Sequence, residues 1–479
     1  MSDTPSALLT DLYELTMLAG YLEEGMHETP AVFDLYFRQN PFLGSYAVFA
    51  GLAPALRYLE NLHFTNEEIA YLTGLGIFKP AFLHFLKNFR FRGRVLAPPE
   101  GTVVFANEPL LTVEGSLAEA QFVETALLNL INFQTLIASK AARLTTAAGD
   151  SAVVDFGLRR AQGPDGGMSV ARAARIGGVD STSNVLAGMR FGLPVKGTHA
   201  HSWVMAFPDE LSAFRAYADC FPDDSILLVD TYDTLKSGLP HALIVARELR
   251  DRGHELRGIR LDSGDIAYLS KEARRMFDSA GFPEVKIVAS NEMDENVIHS
   301  VRSEGGKVDI YGVGTKLATA AGIGGGALGG VYKLVRFAGA PRLKITSDLA
   351  KATLPDSKRL WRVVNGSDRF VMDIIALADE VLADGDTVFD PLNPLRHKTI
   401  PSGARFEEVR QVVMEGGKPL YAEPPLPAAA ERCAQQLRRL PEGSLRLFNP
   451  HIYKVSMSRA LHELRSRLMS EMEATFEPD

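Results

Sequence analysis

The chain has 479 residues, of which 46% are hydrophobic and 23% are charged, and its formal net charge is −8. These values are ordinary for a soluble globular protein and give no electrostatic footprint for nucleic acid, and the length predicts two or three domains. Two cysteines, the lack of a signal-peptide pattern and the absence of a long uncharged stretch favour a cytoplasmic protein with no membrane span.

The region before about residue 145 is predicted to form an α/β domain of its own. Residues 1–90 are predicted to be mostly helical, with one strand at 32–37. Residues 93–115 favour short antiparallel strands, because apolar runs alternate there with proline- and glycine-containing turns. An apolar helix is predicted over residues 117–145.

Residues 152–317 repeat a unit of one strand and one helix. Six strand-like runs lead into key positions 155, 198, 230, 262, 290 and 314, five of them polar and the last a glycine, at intervals of 24 to 43 residues. Such intervals suit a strand, a crossover helix and two loops, and the alternation predicts a parallel sheet. Because there are six units and not eight, we expect the sheet to form an irregular α/β barrel, within a domain of residues 146–335.

The remaining residues, 336–479, are predicted to form a C-terminal domain. Residues 331–372 are basic and favour strands, and residues 380–445 contain connections rich in proline and glycine. Residues 456–472 have the pattern of an amphipathic helix with one charged face.

Charged and small polar side chains follow the predicted strands, at the edge where parallel α/β proteins carry their chemistry. Arg159 and Arg160 follow the first strand and offer planar donors suited to carboxylate or phosphate, although surface ion pairs are an alternative. His201 lies nearby, and histidine is a residue type often used as an acid, a base or a metal ligand. With His199 it could form a metal pair, but the other strand ends offer no further ligands of that kind.

Arg260 and Asp262 flank Leu261, so their side chains share one face of a predicted strand. A carboxylate at a strand end, such as Asp230, is often only a helix N-cap, and that alternative stays open. The glycines at 312–314 and 324–326 could present N–H groups to phosphate. The second cluster spells Gly-x-Gly-x-x-Gly but does not directly follow a strand, and no P-loop motif occurs.

Nine short motifs follow one another along the chain. They are TDLYELTM at 10–17, FGLRRAQGPDGG at 156–167, GTHAHS at 197–202, DTY at 230–232, RLDSGD at 260–265, SN at 290–291, GVGT at 312–315, GVYKL at 330–334 and NPHIYKVS at 449–456. In this order they resemble the motifs of nicotinate phosphoribosyltransferases. The family pattern predicts glycine at position 356, where this chain has Asp356.

The resemblance implies that the chain forms nicotinate mononucleotide from nicotinate and 5-phosphoribosyl 1-diphosphate, releasing diphosphate with the help of ATP and Mg²⁺. It implies an irregular α/β barrel, an N-terminal α/β domain over residues 1–145 and a C-terminal extension over 336–479, part of which packs on the N-terminal domain. It also implies a homodimer with shared active sites.

The same resemblance assigns roles to individual residues. His201 is the residue that ATP phosphorylates, Arg260 helps to bind nicotinate, and Asp230 and Asp262 contact ribose or metal-held diphosphate. Phe156 stacks on the pyridine ring, with Tyr13 of the neighbouring subunit on its other face. The further substrate-binding positions are Arg159, Asp180, Thr198, Ser202, Ser290, Asn291, Gly312, Gly314 and Thr315, and no protein ligand for a metal is assigned.

Three alternatives remain open at the level of the sequence. A nicotinamide phosphoribosyltransferase is close, but the arginine-rich turn at 159–160 and the GTHAHS motif look like the acid-specific branch. A metal-dependent barrel hydrolase is a different class of enzyme. A barrel that binds a sugar or phosphate without catalysis is the third alternative.

Overall fold

The computed structural model describes residues 5–344 and 353–476. The chain divides into two compact units, one formed by Met1–Leu136 with Ala327–Asp479 and the other by Ile137–Gly326. No helix in the described ranges is both long enough and apolar enough to cross a membrane.

The first part of the chain alternates short helices with short strands. Its helices often begin at residues that cap free N–H groups: Thr65 and Glu68 form a reciprocal capping box at one of them. The elements are α1 (Leu12–Glu23), β1 (Pro30–Phe37), β2 (Ala47–Val48), α2 (Leu52–Glu60), α3 (Asn66–Gly74), α4 (Pro80–Lys87), β3 (Arg94–Ala97), β4 (Val103–Val104), β5 (Leu111–Ser116), α5 (Leu117–Phe122) and α6 (Glu124–Ala148). The predicted helix over 117–145 is therefore two helices, which part at Val123.

The second unit alternates strands and helices as the sequence predicts. The elements are β6 (Ala152–Asp155), α7 (Gly163–Ile176), β7 (Ser181–Thr182), α8 (Val185–Phe191), α9 (His201–Met205), α10 (Glu210–Cys220), β8 (Ile226–Leu228), α11 (Leu239–Asp251), β9 (Gly258–Leu261), α12 (Ile266–Ser279), β10 (Lys286–Ala289), α13 (Glu295–Ser303), β11 (Ile310–Val313) and α14 (Thr315–Ala318). A π-helical turn, Thr234–Gly238, precedes α11.

The six strands of this unit form one parallel sheet in the order β7-β6-β11-β10-β9-β8. The mixed α/β class and the parallel sheet are as predicted, but the barrel is not confirmed. Within residues 137–326, all of which are described, no strand ladder joins β7 to β8. The sheet is therefore open.

One predicted strand of this sheet is wrong. The run around 193–198 makes a single parallel bridge, between Val195 and Thr182, in place of a strand. Its second residue, Pro194, has no N–H to give to a ladder. Its place as the sixth member of the sheet is taken by β7. This strand consists of two polar residues, so no apolar run reveals it in the sequence.

The last part of the chain adds mostly strands to the first unit. They are β12 (Gly330–Phe337), β13 (Ala340–Pro341), β14 (Lys358–Val364), β15 (Phe370–Leu377), β16 (Thr387–Phe389), β17 (His397–Thr399), β18 (Arg405–Glu408), β19 (Gln411–Glu415), β20 (Lys418–Pro419) and β21 (Val455–Met457), with helices α15 (Leu426–Arg439) and α16 (Arg459–Phe476).

The early and late strands of the first unit form three sheets. The largest has the order β13-β12-β1-β5-β3-β19-β20, so it combines strands from both ends of the chain. A second sheet has the order β17-β16-β21-β15-β14-β18, and β2 pairs with β4. Lys358 of β14 and Asp34 of β1 form a buried ion pair of 2.9 Å, which ties the late strands to the early ones.

Asp356, which stands where the family pattern predicts glycine, has a positive φ of 67°. This is the left-handed region that glycine enters most readily, and aspartate is among the few other residues that tolerate it. The loop thus keeps a conformation typical of glycine. Residues 345–352 of the same basic segment lie outside the described residues.

Candidate functional site

A cavity of about 460 Å³ opens at the carboxyl end of the parallel sheet in the second unit. Parallel strands all end at the same edge, so residues that are far apart in sequence meet there. The lining residues are Phe156, Leu158, Arg159, Arg160, Ser183, Gly197, Thr198, His199, Ala200, Arg260, Asp262, Ser290, Asn291, Glu292, Gly312, Gly314 and Thr315.

Arg260 is the centre of the hydrogen bonding in this cavity. Its Nε donates to Ser290 Oγ at 2.8 Å, one Nη donates to Thr198 Oγ1 at 2.9 Å, and the other donates to Asp262 Oδ1 at 2.7 Å. An arginine has five N–H donors, so these protein contacts leave two N–H groups for a ligand. The guanidinium carbon also lies 5.5 Å from the centre of the Phe156 ring.

Asp262 is held as a carboxylate. Burial by itself would raise its pKa, but hydrogen bonds from Ser290 and Arg260, with the positive charges of Arg260 and His201, lower the pKa below the ordinary value. Ser290 Oγ and Asp262 Oδ1 are in short contact. Arg260 and Asp262 lie two residues apart at the end of β9, which places a cation and an anion side by side.

Asp230 follows β8 and its side chain is only 1% exposed. Its Oδ2 accepts the backbone N–H of Asp262 at 2.9 Å and the hydroxyl of Ser263 at 2.6 Å. Its Oδ1 has no hydrogen-bond partner within the described part of the chain. A buried carboxylate oxygen without a partner is costly, so this atom suits a cation or a ligand donor.

His201 begins α9 and is 40% exposed. Its Nδ1 lies 3.1 Å from Thr231 Oγ1, and its Nε2 lies 3.7 Å from Asp262 Oδ2 and 3.9 Å from Asp230 Oδ1. The last two distances exceed those of hydrogen bonds, so the carboxylates act on the ring through their charge. The Nε2 atom therefore points toward negative charge, on a side chain that is partly exposed to solvent.

Phe156 forms an aromatic wall of the cavity, and Gly312 makes room for it. A Cβ atom built at Gly312 would lie 2.5 Å from Cε2 of the Phe156 ring. No real side chain tolerates that separation. The close contact with this ring thus explains why Gly312, the first residue of the GVGT motif, is a glycine.

We expect Gly312→Ala to destabilise the second unit by about 1–3 kcal/mol, because overpacking must displace the Phe156 ring or the strand. Thermal unfolding followed by circular dichroism should show Tm lowered by several degrees. Gly166→Ala is the control, since its Cβ would come no closer than 3.8 Å to Gln162. Equal Tm values for Gly312→Ala and the native protein would contradict the stated contact.

The structure brings together most of the residues that the sequence singles out. Ten of them line the cavity. His201 and Asp230 are not lining residues, but both lie close to Asp262, which is one. The ten are Phe156, Arg159, Thr198, Arg260, Asp262, Ser290, Asn291, Gly312, Gly314 and Thr315. Asp155 ends the first strand of the repeats and is buried. It accepts hydrogen bonds from Gly157 N and Thr182 Oγ1 at 2.8 Å each, so it holds the turn that follows Phe156.

Three of the predicted residues are not among those that line the cavity. The Asp180 carboxylate accepts the N–H of Val153 at 2.9 Å, near the start of β6 and away from the cavity. Ser202 is exposed on α9 and is not among the lining residues. Tyr13 belongs to α1 in the other unit, where it is 45% exposed.

Sequence reasoning missed Thr231 and His199. Thr231 contacts His201, and its only signal is its place inside the DTY motif. His199 lines the cavity and is buried, but the position is variable in the family pattern, so the resemblance gave it no role.

Comparisons with known proteins agree along the whole chain. Residues 8–132 match the nicotinate phosphoribosyltransferase N-terminal domain, residues 151–363 match the nicotinate phosphoribosyltransferase family, and residues 357–465 match its C-terminal domain. A nicotinate phosphoribosyltransferase from Bacillus subtilis (strain 168) is 42% identical, covering 98% of both chains. One from Dictyostelium discoideum is 38% identical, covering 95% of this chain and 87% of the relative.

Solved structures agree as well. The crystal structure of human nicotinic acid phosphoribosyltransferase is 33% identical, with a TM-score of 0.85, and the match covers 96% of this chain and 99% of the human one. The cavity at the sheet edge, the order of the motifs and these likenesses converge on one conclusion. The chain belongs to the nicotinate phosphoribosyltransferase family.

Proposed function

We propose that the protein joins nicotinate to 5-phosphoribosyl 1-diphosphate, forming nicotinate mononucleotide and releasing diphosphate, as a step of NAD salvage in the cytoplasm. The observation that carries the proposal is Arg260, which lines the cavity beside the Phe156 ring and has two N–H groups beyond the three used in protein contacts. Those N–H groups pair with the carboxylate of nicotinate, and the ring of Phe156 stacks on the pyridine. Arg159 adds a second cation at the same wall.

The reaction forms a bond from the pyridine nitrogen to the anomeric carbon and breaks the bond from that carbon to diphosphate. Positive charge develops on the ribose ring, and the Asp262 carboxylate stabilises it electrostatically. The backbone N–H groups beside Gly314 and Thr315, at the start of α14, face the phosphates. Arg260 and Phe156 orient the base for attack.

We further propose that ATP and Mg²⁺ take part. The described residues contain no cluster of three His, Cys, Asp or Glu side chains that could hold a metal. They fit Mg²⁺ that is held mainly by the substrate's diphosphate, because the unpartnered Asp230 Oδ1 is a hard oxygen ligand of the kind Mg²⁺ takes one or two of. Such an ion would neutralise phosphate charge. ATP use rests on the resemblance and on the accessibility of His201.

The test is an assay of diphosphate release with nicotinate and with nicotinamide, each with and without ATP. We expect release with nicotinate, stimulated by ATP, and poor release with nicotinamide. An arginine facing a neutral amide loses a charge-assisted pair, which costs about 1.5–3 kcal/mol. Equal kcat/KM for the two bases would contradict the selectivity for the acid, and a higher kcat/KM for nicotinamide would favour the nicotinamide alternative.

We also propose a homodimer in which Tyr13 of one subunit completes the site of the other. Mixing inactive Tyr13→Ala subunits with inactive Arg260→Ala subunits should restore part of the activity, because one of the two composite sites in a mixed dimer carries neither substitution. Activity is measured after subunit exchange has been verified with two affinity tags. Mixed dimers without activity would contradict the shared site.

A further inference from the structure

The loop over residues 195–201 lies along the open edge of the parallel sheet, next to β7. Thr182 of β7 donates its N–H to Pro194 O and accepts the N–H of Lys196, both at 3.0 Å. On that side, therefore, backbone hydrogen bonds attach the loop. The loop carries Thr198 and His201, so whatever fixes its distance from β8 also fixes those two side chains.

A side chain makes the connection to β8. His199 is 7% exposed, and its Nε2 lies 3.1 Å from the backbone nitrogen of Leu228, the last residue of β8. Its Nδ1 lies 3.3 Å from Ala200 O. The ring packs edge-on against Tyr217 of α10, with centroids 4.8 Å apart. The imidazole Nε2 thus accepts the Leu228 N–H, as a backbone carbonyl of a neighbouring strand would.

The partners of the ring define its tautomer. The Leu228 N–H only donates, so Nε2 must accept and carries no hydrogen. The Ala200 carbonyl only accepts, so the hydrogen lies on Nδ1. Burial lowers the pKa of His199 to about 4, with a smaller opposing contribution from the Ala200 hydrogen bond. The ring is therefore neutral near pH 7, and its acceptor is available to Leu228.

Two side chains of the site, Thr198 and His201, lie on the loop that this link holds. Thr198 Oγ1 donates to His199 O at 3.0 Å and accepts from Arg260 at 2.9 Å. His201, two residues after His199, meets Thr231 at 3.1 Å. Leu228 lies two residues before Asp230. The hydrogen bond from Leu228 N–H to His199 Nε2 therefore joins this loop to the strand that leads to Asp230 and Thr231, beside the contacts that Thr198 and His201 make themselves.

We propose that His199 is a positioning residue: as the neutral Nδ1–H tautomer it fastens the 195–201 loop to β8 and so holds His201 against Thr231 and Thr198 against Arg260. The catalytic part of this inference rests on the proposed function. The structural part, a protected Leu228 N–H and a defined tautomer, does not.

The test compares two substitutions that separate the ring from its acceptor. His199→Phe keeps an aromatic ring against Tyr217 but leaves the Leu228 N–H without its acceptor. His199→Gln carries an amide oxygen that reaches the position of Nε2. We expect His199→Phe to lower kcat by about 10- to 100-fold, because an unpaired buried N–H lets the loop move. We expect KM for nicotinate to change less than threefold, and His199→Gln to keep kcat within about fivefold.

Amide hydrogen exchange gives a readout that does not depend on activity. In the native protein and in His199→Gln, a peptide covering Leu228 should retain one slowly exchanging amide that His199→Phe loses. Nitrogen-15 shifts of the imidazole should report the neutral Nδ1–H form. The control is His254→Phe, since His254 is a partly exposed histidine whose contact is Asp223.

The outcomes separate the two claims. If the native protein forms no nucleotide, the proposed function fails, while the exchange and tautomer data still decide the link to Leu228. If the native protein is active and His199→Phe has the same kcat, the positioning role is overturned. If His199→Phe does not fold, fast exchange of Leu228 in the native protein, or an Nε2–H tautomer, overturns the proposal, and slow exchange with the Nδ1–H tautomer supports it.

Discussion

Arg260→Ala should lower kcat/KM for nicotinate by about 100- to 1000-fold, the equivalent of about 3–4 kcal/mol. Two losses add up. The substrate carboxylate loses its charge-assisted partner, and Ser290, Thr198 and Asp262 lose the donor that joins them. Removal of one member of a buried hydrogen-bonded charge pair commonly costs 2–5 kcal/mol, since the other member stays desolvated.

The selectivity between bases distinguishes recognition from general damage. Nicotinamide has no carboxylate, so its kcat/KM should fall much less, and the preference for nicotinate should drop at least tenfold. Arg260→Lys should behave like Arg260→Ala, because an ammonium group cannot reproduce a planar fork with three fixed partners. Arg257→Ala is the control: Arg257 precedes β9 and donates to Asp223 O at the opposite end of the strand. An unchanged preference in Arg260→Ala would contradict a role in recognising the acid.

The site residues that the sequence predicted best are those whose position follows from strand ends. Arg260 and Asp262 flank one apolar residue of β9, so the period of a strand alone puts them together. Asp230 and Ser290 follow the neighbouring strands β8 and β10, and parallel pairing brings them to the same edge. These contacts require only the strand periodicity and the parallel order of the sheet.

What the sequence could not predict depends on single tertiary contacts. β7 is two polar residues long and has no apolar pattern. Asp180 was predicted to bind substrate from the resemblance alone, and its carboxylate accepts a backbone N–H near the start of β6. The sheet is open at this edge because residues 193–198 make one bridge to Thr182 and do not continue as a strand. The bond from His199 to Leu228 joins positions 29 residues apart, and neither position carries a distinctive local signal.

The second large effect concerns His201 and ATP. In the proposed coupling, Nε2 attacks the γ-phosphorus of ATP, a P–N bond forms, the P–O bond to ADP breaks, and ADP leaves. Nδ1 lies against Thr231 Oγ1 and the side chain is 40% exposed, which suits that assignment. His201→Ala should abolish nicotinate-stimulated ATP hydrolysis while leaving slow phosphoribosyl transfer, because Arg260 and the glycine loops still orient the substrates. His201→Asn should behave like alanine, since an amide is no nucleophile.

The phosphorylated protein should have properties that follow from the two carboxylates beside His201. A phosphoryl group on Nε2 adds about 1.5 to 2 negative charges near Asp230 and Asp262, so repulsion should make the modification dependent on Mg²⁺ and short-lived without it.

Radiolabel from the γ-phosphate of ATP should remain on the native protein at alkaline pH and be released by acid, as expected of a phosphoramidate. His254→Ala should label like the native protein, because the partly exposed His254 side chain contacts Asp223 and is not among the residues of the site. Label that persists on His201→Ala would place the phosphoryl acceptor on another residue, and His201 would then serve to orient substrate through Asp262 and Thr231.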